Sequence, residues 1–296
     1  MKIALFSRDR VRHEASQIER IFACIEQYSL QYCVNEEFAP IITSLTGRAI
    51  EPSQIYGQKV GAMPAGSVML CYGGDGTILE GLHRLGGQSI AVVGINSGRL
   101  GFLTSGTGED IEQIFENIAN GNLKVESRKM VNIKGDFIPD CTALLAANEL
   151  AVQRLGATMI AVDVWVDNQA VATYYGDGVI ISTPTGSTAY SLSAGGPIVA
   201  PDCECFIISP LAPHNLAMRP VVVRDSSQIR LHITTREGDA AISLDNRTFP
   251  IGKETNIELS LSEKKFLLAT KSNISFFQTL KEKMMWGLDP RDKNYK

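Results

Sequence analysis

Apolar residues follow two rhythms along this chain, and the rhythm changes once. In the first third, unbroken apolar runs alternate with helical spacing. Ile3-Ala4-Leu5-Phe6 leads to Ile18, Ile21, Phe22 and Ile25, and Val68-Met69-Leu70-Cys71 leads through a glycine loop to a helical pattern from Thr77 to Leu85. Ile90 to Ile95 is a further apolar run, and Ile111, Ile114, Phe115 and Ile118 mark another amphipathic helix. Strands without polar alternation, separated by helices, predict a parallel α/β sheet covered on both faces. Beyond about Val125 the period becomes two: Ile160, Val162, Val164 and Val166 alternate with Ala161, Asp163, Trp165 and Asp167, and Ile229, Leu231 and Ile233 repeat the pattern. Short strands are also expected at Thr142 to Val152, Val179 to Ser182, Phe206 to Ser209, Val221 to Val223 and Ile257 to Leu261, which predicts a mainly β second domain. Phe276, Phe277, Leu280 and Met284 return to helical spacing. The expected division is therefore an α/β N-terminal domain of residues 1–125 and 272–296, with a mainly β C-terminal domain of residues 126–271.

Composition narrows the class. The chain has 296 residues, 44% hydrophobic and 20% charged, with a net charge of -4, which describes a soluble globular protein of about two domains. The slight acidity argues against a protein built to grip nucleic acid or anionic lipid, and neither is expected as a partner. Six cysteines, Cys24, Cys33, Cys71, Cys141, Cys203 and Cys205, are scattered without a CxxC, as suits reduced thiols in a cytoplasmic protein better than a disulfide framework. Cys203 and Cys205 lack the neighbours of a zinc site, and the four histidines show no metal-ligand spacing, so no residue is assigned to a metal. The apolar stretch near Met1 is too short for a signal-peptide core. Gly178 to Pro201 carries no charge, but its serines, threonines, glycines and prolines could not satisfy a backbone in lipid.

The sharpest chemical signal is Gly73-Gly74-Asp75-Gly76-Thr77, between an apolar run and a helical pattern. Strand, glycine loop and helix make a phosphate site: Gly74 and Gly76 let backbone N–H groups approach phosphate oxygens, and the helix presents its positive end. A carboxylate there has two suitable tasks, receiving a proton from an attacking hydroxyl or holding Mg²⁺. The bland alternative is a tight turn in which Asp75 caps the helix at Thr77. Neither the dinucleotide fingerprint G-x-G-x-x-G nor the loop G-x-x-x-x-G-K-[ST] occurs. A second segment, Gly176-Asp177-Gly178 followed by Ser182 to Tyr190, is dense in hydroxyls and turns, which suits a polar ligand at the end of a buried strand. Asn148-Glu149 interrupts an apolar stretch; a ribose diol would satisfy both, although the residues alone favour a strand end in water. Asn96 to Leu103, reading NSGRLGFL, follows the 90–95 run at the end of a strand where α/β ligands tend to lie.

Taken in order, GGDGT at 73–77, NSGRLGFL at 96–103, Asn148-Glu149 and GDGVIISTPTGSTAYSLSAGGP at 176–197 closely resemble the NAD kinase family over most of the chain. GGDGT alone is shared with diacylglycerol kinases, sphingosine kinases and phosphofructokinases; the long 176–197 block distinguishes NAD kinases from them. The resemblance implies a two-domain fold, a homo-oligomer (dimer or tetramer), and transfer of the terminal phosphoryl of ATP, with a divalent metal such as Mg²⁺, to the 2′-hydroxyl of the adenosine ribose of NAD. By the same resemblance Asp75 is the proton acceptor, with Gly74 and Gly76 in its loop, and Asn148 with Glu149 holds the adenosine side. Thr188, Ala189, Tyr190, Ser191, Leu192 and Ser193 form the dinucleotide-binding run. Asp177 lies near the nicotinamide carboxamide, and Thr158 and Tyr175 stand where the family makes binding contacts. After Ser243-Leu244-Asp245 the family usually carries a small residue and then Gln; Asn246-Arg247 departs from that, which bears on a ligand contact at Arg247. Two rival readings are a lipid or sugar kinase using GGDGT and a non-enzymatic NAD(P)(H)-binding sensor on the same fold.

Overall fold

The apolar runs of the first third are buried on both faces, as strands inside a parallel sheet are. In the computed structural model, which describes residues 1–96, 98, 101–138, 144–236, 240–270 and 275–287, Ile3, Ala4, Leu5 and Phe6 are at most 1% exposed. Ser97, Arg99, Leu100, Cys141 and the first two residues of the Thr142–Val152 run lie outside the described residues. Strands β1 (Lys2–Phe6), β2 (Gln31–Asn35), β3 (Ile55–Tyr56), β4 (Val68–Tyr72) and β5 (Ala91–Asn96) pair in parallel in the order β3-β2-β1-β4-β5, with β6 (Gly106–Thr107) also on β5. A strand from far along the chain, Phe266–Thr270, lies between β5 and β7 (Lys124–Arg128) in the same sheet. It is fastened there by Ser105, whose Oγ donates to Ala269 O at 2.6 Å and accepts from Gly94 N at 3.1 Å. The chain accordingly divides into two units, Met1–Ser127 with Phe266–Lys296, and Arg128–Lys265.

Helices cover the sheet along the predicted stripes. α1 (Ala15–Gln27) buries Ile18, Ile21, Phe22, Cys24 and Ile25, and α2 (Ala39–Thr46) ends at Gly47 in the left-handed conformation. α3 (Asp75–Arg84) follows the glycine loop, and α4 (Ile111–Ala119) buries Ile111, Ile114, Phe115 and Ile118. A capping box at Thr107 and Asp110 leads into α4.

The second unit is a sandwich of two antiparallel sheets around one core. Its strands are β8 (Val131–Gly135), β9 (Leu144–Ala146), β10 (Glu149–Arg154), β11 (Ile160–Val166), β12 (Gln169–Gly176), β13 (Gly178–Ser182), β14 (Cys205–Leu211), β15 (Val221–Arg224), β16 (Ile229–Thr234), β17 (Ala240–Leu244), β18 (Arg247–Ile251) and β19 (Glu254–Leu261). One sheet has the order β15-β14-β13-β10-β17-β18 and the other β12-β11-β16-β19-β8-β9. Ile160, Val162 and Val164 of β11 point into the core, while Ala161, Asp163 and Trp165 between them are only half-buried, as period two requires. β13 is buried throughout, and its outer residue Ile180 packs with Ala151, Leu211 and Ala194. The Gly178–Pro201 stretch is this strand, a turn and the single helical turn α5 (Tyr190–Ser193); among the described residues no helix is long and apolar enough to cross a membrane.

Two expectations change. The apolar stretch read as one strand over 142–152 is two strands in different sheets, β9 and β10, separated at Ala147-Asn148. The final helix α6 (Phe276–Met284) forms, but of its four apolar positions only Leu280 is buried, and Phe277 is 68% exposed.

Candidate functional site

In the first unit the glycine loop leaves β4 and enters α3 directly. Gly74 is the residue before the helix and Asp75 its first residue, so Asp75 is not the cap that the bland reading required. Its carboxylate turns instead to the chain after β5. Oδ2 accepts from Phe102 N at 2.9 Å and Oδ1 from Leu103 N at 3.0 Å. An ideal Cβ on Gly101 would lie 1.9 Å from Oδ1, so only glycine lets this backbone wrap the carboxylate. The last residues of NSGRLGFL therefore orient Asp75. Thr77 is fully buried, and its Oγ1 accepts from Arg8 Nε at 3.3 Å. Arg8, absent from the sequence-derived set, stands over Gly76, where an ideal Cβ would be 3.0 Å from Nη2. Its one sequence signal is position, directly after a buried strand and Ser7.

In the second unit Asn148 and Glu149 are 7% and 6% exposed, which overturns the reading of a strand end in water. They sit where the chain crosses from one sheet to the other, and Asp245 holds the crossing. In the two-residue turn between β17 and β18, with φ +52, Asp245 accepts from three backbone N–H groups: Ala147 (2.9 Å), Asn148 (2.8 Å) and Glu149 (3.2 Å). The fixed peptides leave two side-chain acceptors, Asn148 Oδ1 and Glu149 Oε2, buried and without a partner among the described residues. Burial first, and the nearby Asp245 charge second, push the Glu149 carboxyl up to about 8, against a Tyr190 backbone N–H that favours its ionised form.

The hydroxyl-rich block wraps this crossing, and most of its hydroxyls serve the wrap. Thr183 N donates to Asn148 O at 2.8 Å, Thr183 Oγ1 donates to Ala147 O at 2.6 Å, and Gly186 N donates back to Thr183 Oγ1 at 3.1 Å. A Cβ on Gly186 would be 2.2 Å from Asn148 O, so the turn rests on that peptide. Ser187 Oγ bonds both Val199 O and N, each at 3.1 Å, and Ser191 Oγ pairs with Ser209 Oγ at 3.2 Å inside the core. Of the run proposed from sequence, Ser191 thus points inward, Thr188, Ala189 and Leu192 are half-buried, and Tyr190 and Ser193 are exposed.

Tyr190 joins the crossing to a cavity of about 370 Å³ lined by Gln153, Arg154, Gly156 and Asp177 among others. Its backbone meets Glu149, and its phenol donates to Gln153 Oε1 at 3.3 Å. Asp177 is paired: Oδ1 accepts from Arg154 Nε at 2.6 Å. Thr158, in the turn before β11, and Tyr175, 51% exposed on β12, do not line this cavity. Arg247 reaches the backbone instead, donating through Nη2 to Leu145 O at 2.8 Å. Among the described residues no group of three or more His, Cys, Asp or Glu could hold a metal ion.

A glycine loop on a parallel sheet carrying a backbone-held carboxylate, together with a β-sandwich presenting buried acceptors, defines a phosphotransferase of the GGDGT class. Residues 19–123 match the model of the ATP-NAD kinase N-terminal domain and residues 147–271 that of the ATP-NAD kinase C-terminal domain. The chain is 33% identical to an NAD kinase of Christiangramia forsetii over 99% of its own length and 100% of the relative's, and 33% identical to one of Cytophaga hutchinsonii with the same coverage. It belongs to the NAD kinase family. Among solved structures it resembles yeast NADH kinase complexed with NADH, with TM-score 0.85 and 21% identity over 98% of this chain and 89% of that one. It also resembles an NAD kinase from Archaeoglobus fulgidus in complex with ATP, with TM-score 0.70 and 26% identity over 92% and 94%.

Asp245→Ala leaves three backbone donors without their acceptor, and we expect a loss of about 1–3 kcal/mol in chemical denaturation, the range for unsatisfied buried groups. A variant with the parent's denaturation midpoint would show that the crossing holds without Asp245. Glu149 gives a pH signature. Because its folded pKa of about 8 lies above the ordinary 4.5, its contribution to stability is complete below about pH 4.5 and is lost as pH rises through about 8. Glu149→Gln does not titrate, so its Tm should gain on the parent's between pH 5 and 8.5. A constant Tm difference over that range would contradict the shift.

Proposed function

We propose that this protein is an NAD kinase that transfers the terminal phosphoryl of ATP to the 2′-hydroxyl of the adenosine ribose of NAD, releasing ADP and NADP. The observation that carries the acceptor assignment is the pair Asn148 Oδ1 and Glu149 Oε2, buried polar atoms without hydrogen-bond partners, which two ribose hydroxyls can satisfy. The names of its relatives agree, and the neighbouring solved structures hold NADH in one case and ATP in the other. Asp75 is the proton acceptor. Its two backbone hydrogen bonds fix the carboxylate while lone pairs remain for the ribose hydroxyl. As the 2′-oxygen forms its bond to the γ-phosphorus, the bond to the β–γ bridging oxygen breaks, ADP leaves, and the hydroxyl proton passes to Asp75. Gly74 and Gly76 admit the phosphates to the backbone, and Thr188 to Ser193 flank the dinucleotide, Ser191 through its backbone.

A divalent cation fits this donor set as part of the substrate. In this reading the ion arrives on the phosphates of a metal–ATP complex. A cytoplasmic location is supported by free cysteines at 24, 33, 71, 203 and 205. A homo-oligomer, dimer or tetramer, is supported by exposed Leu216 and Val222, at 84% and 52%. The 370 Å³ cavity beside Asp177 takes the nicotinamide end.

Purified protein with ATP, Mg²⁺ and NAD should form NADP, read by an NADP-specific dehydrogenase; binding of NAD without turnover would instead describe a sensor. Asp75→Asn should bind NAD normally and lose ~10²–10⁴ in turnover, as for removal of a positioned base. Near-parent turnover would reject that role. The Arg154–Asp177 pair bears on the redox state of the acceptor, because Arg154 offsets the carboxylate charge that would favour the cationic ring of NAD⁺. Arg154→Gln should raise the ratio of kcat/KM for NAD⁺ over NADH about fivefold, the scale of ~1 kcal/mol between charges ~4 Å apart in water. A ratio that does not move would remove charge at Asp177 from the discrimination.

A further inference from the structure

We infer that Arg8 is a phosphate-binding residue of the donor site, its two terminal guanidinium nitrogens taking the polyphosphate chain of ATP over the Gly74–Thr77 loop. This rests on the reading of that loop as the donor's phosphate site. Arg8 is carried there by the sheet. β1 pairs with β4 so that Phe6 lies opposite Cys71, and Arg8 leaves the sheet beside Gly73. Ser7, fully buried, fixes the exit by donating to Tyr72 O at 2.6 Å. The side chain is then divided in use. Nε donates to Thr77 Oγ1, and the Nη atoms stand over Gly76, where an ideal Cβ would meet Nη2 at 3.0 Å and Nη1 at 3.4 Å. Among the described residues the guanidinium joins no ion pair.

The chemistry calls for such a group. A transferring phosphoryl concentrates negative charge, while GGDGT contributes only neutral N–H donors and a carboxylate that repels it. Arg84, at the far end of α3, is engaged with Glu37 at 2.9 Å and Glu80 at 3.2 Å. A guanidinium held by Nε with both Nη atoms available is the fork that grips phosphate oxygens bidentately.

Arg8→Gln separates this role from simple buttressing, because its amide nitrogen stands where Nε stands and keeps the Thr77 bond while removing the fork. Calorimetric binding of Mg–ATP without NAD, and kcat/KM for ATP, should each fall about 10- to 100-fold. The NAD dissociation constant should change less than about twofold, and Arg8→Lys, which keeps the charge without the fork, should lie between variant and parent. Parent-like ATP binding in Arg8→Gln, or a loss that falls on NAD as much as on ATP, would overturn the assignment. If Arg8→Gln does not fold, Arg8→Lys decides: a raised KM for ATP alone supports it and an unchanged one rejects it. Binding of Mg–ATP that depends on Arg8 in a protein unable to phosphorylate NAD would retire the kinase reading and leave this one standing.

Discussion

The crossing between the two sheets of the sandwich depends on one carboxylate bonded to three consecutive peptides. Where the chain passes between the sheets of the sandwich, Ala147 and Asn148 lie between β9 and β10 and Glu149 opens β10, and a buried peptide without a partner is costly. Asp245 satisfies all three N–H groups from a left-handed turn in which Asp is tolerated. Thr183 and Gly186 close over the carbonyl side. The same clamp fixes two buried side chains: with its peptides held on both edges, the crossing cannot rotate Asn148 and Glu149 towards water. The proximity of Asp245 is also one of the reasons Glu149 resists ionisation.

At the glycine loop the logic is similar with different parts. Asp75 is aimed by the backbone of Phe102 and Leu103, and Arg8 is aimed by the register of two parallel strands. Asp75 is held by backbone donors, and Arg8 adds only the buried Thr77 hydroxyl. Positioning of this kind suits phosphoryl transfer, where placing charge and in-line geometry accounts for most of the rate.

What was legible in the sequence follows from which forces are local. Strands buried on both faces and strands with one wet face have different periods, so the α/β first domain and the mainly β second domain could be read from residues such as Val68 to Cys71 and Ile160 to Val166. Glycine loops announce close backbone approach, so Gly73 to Thr77 stood out. The break between β9 and β10 did not, because it is enforced by Asp245, 97 residues beyond Asn148. Arg8 was invisible because its place comes from strand pairing. The hydroxyls of Ser182 to Ser191 were legible as donors, but their direction was not, and Thr183, Ser187 and Ser191 face the protein.

The strand Phe266–Thr270 is an interior member of the first sheet, between β5 and β7, although more than a hundred residues of sandwich separate it from β7 in the chain. During synthesis the sandwich is therefore contiguous and complete before the α/β sheet is. A ribosome that has released residues 1–265 exposes an unfilled slot beside β5, with Ser105 lacking the carbonyl of Ala269. The α/β unit is thus the last to mature, and a product truncated before Phe266 carries the whole GGDGT loop on a sheet that lacks an interior strand.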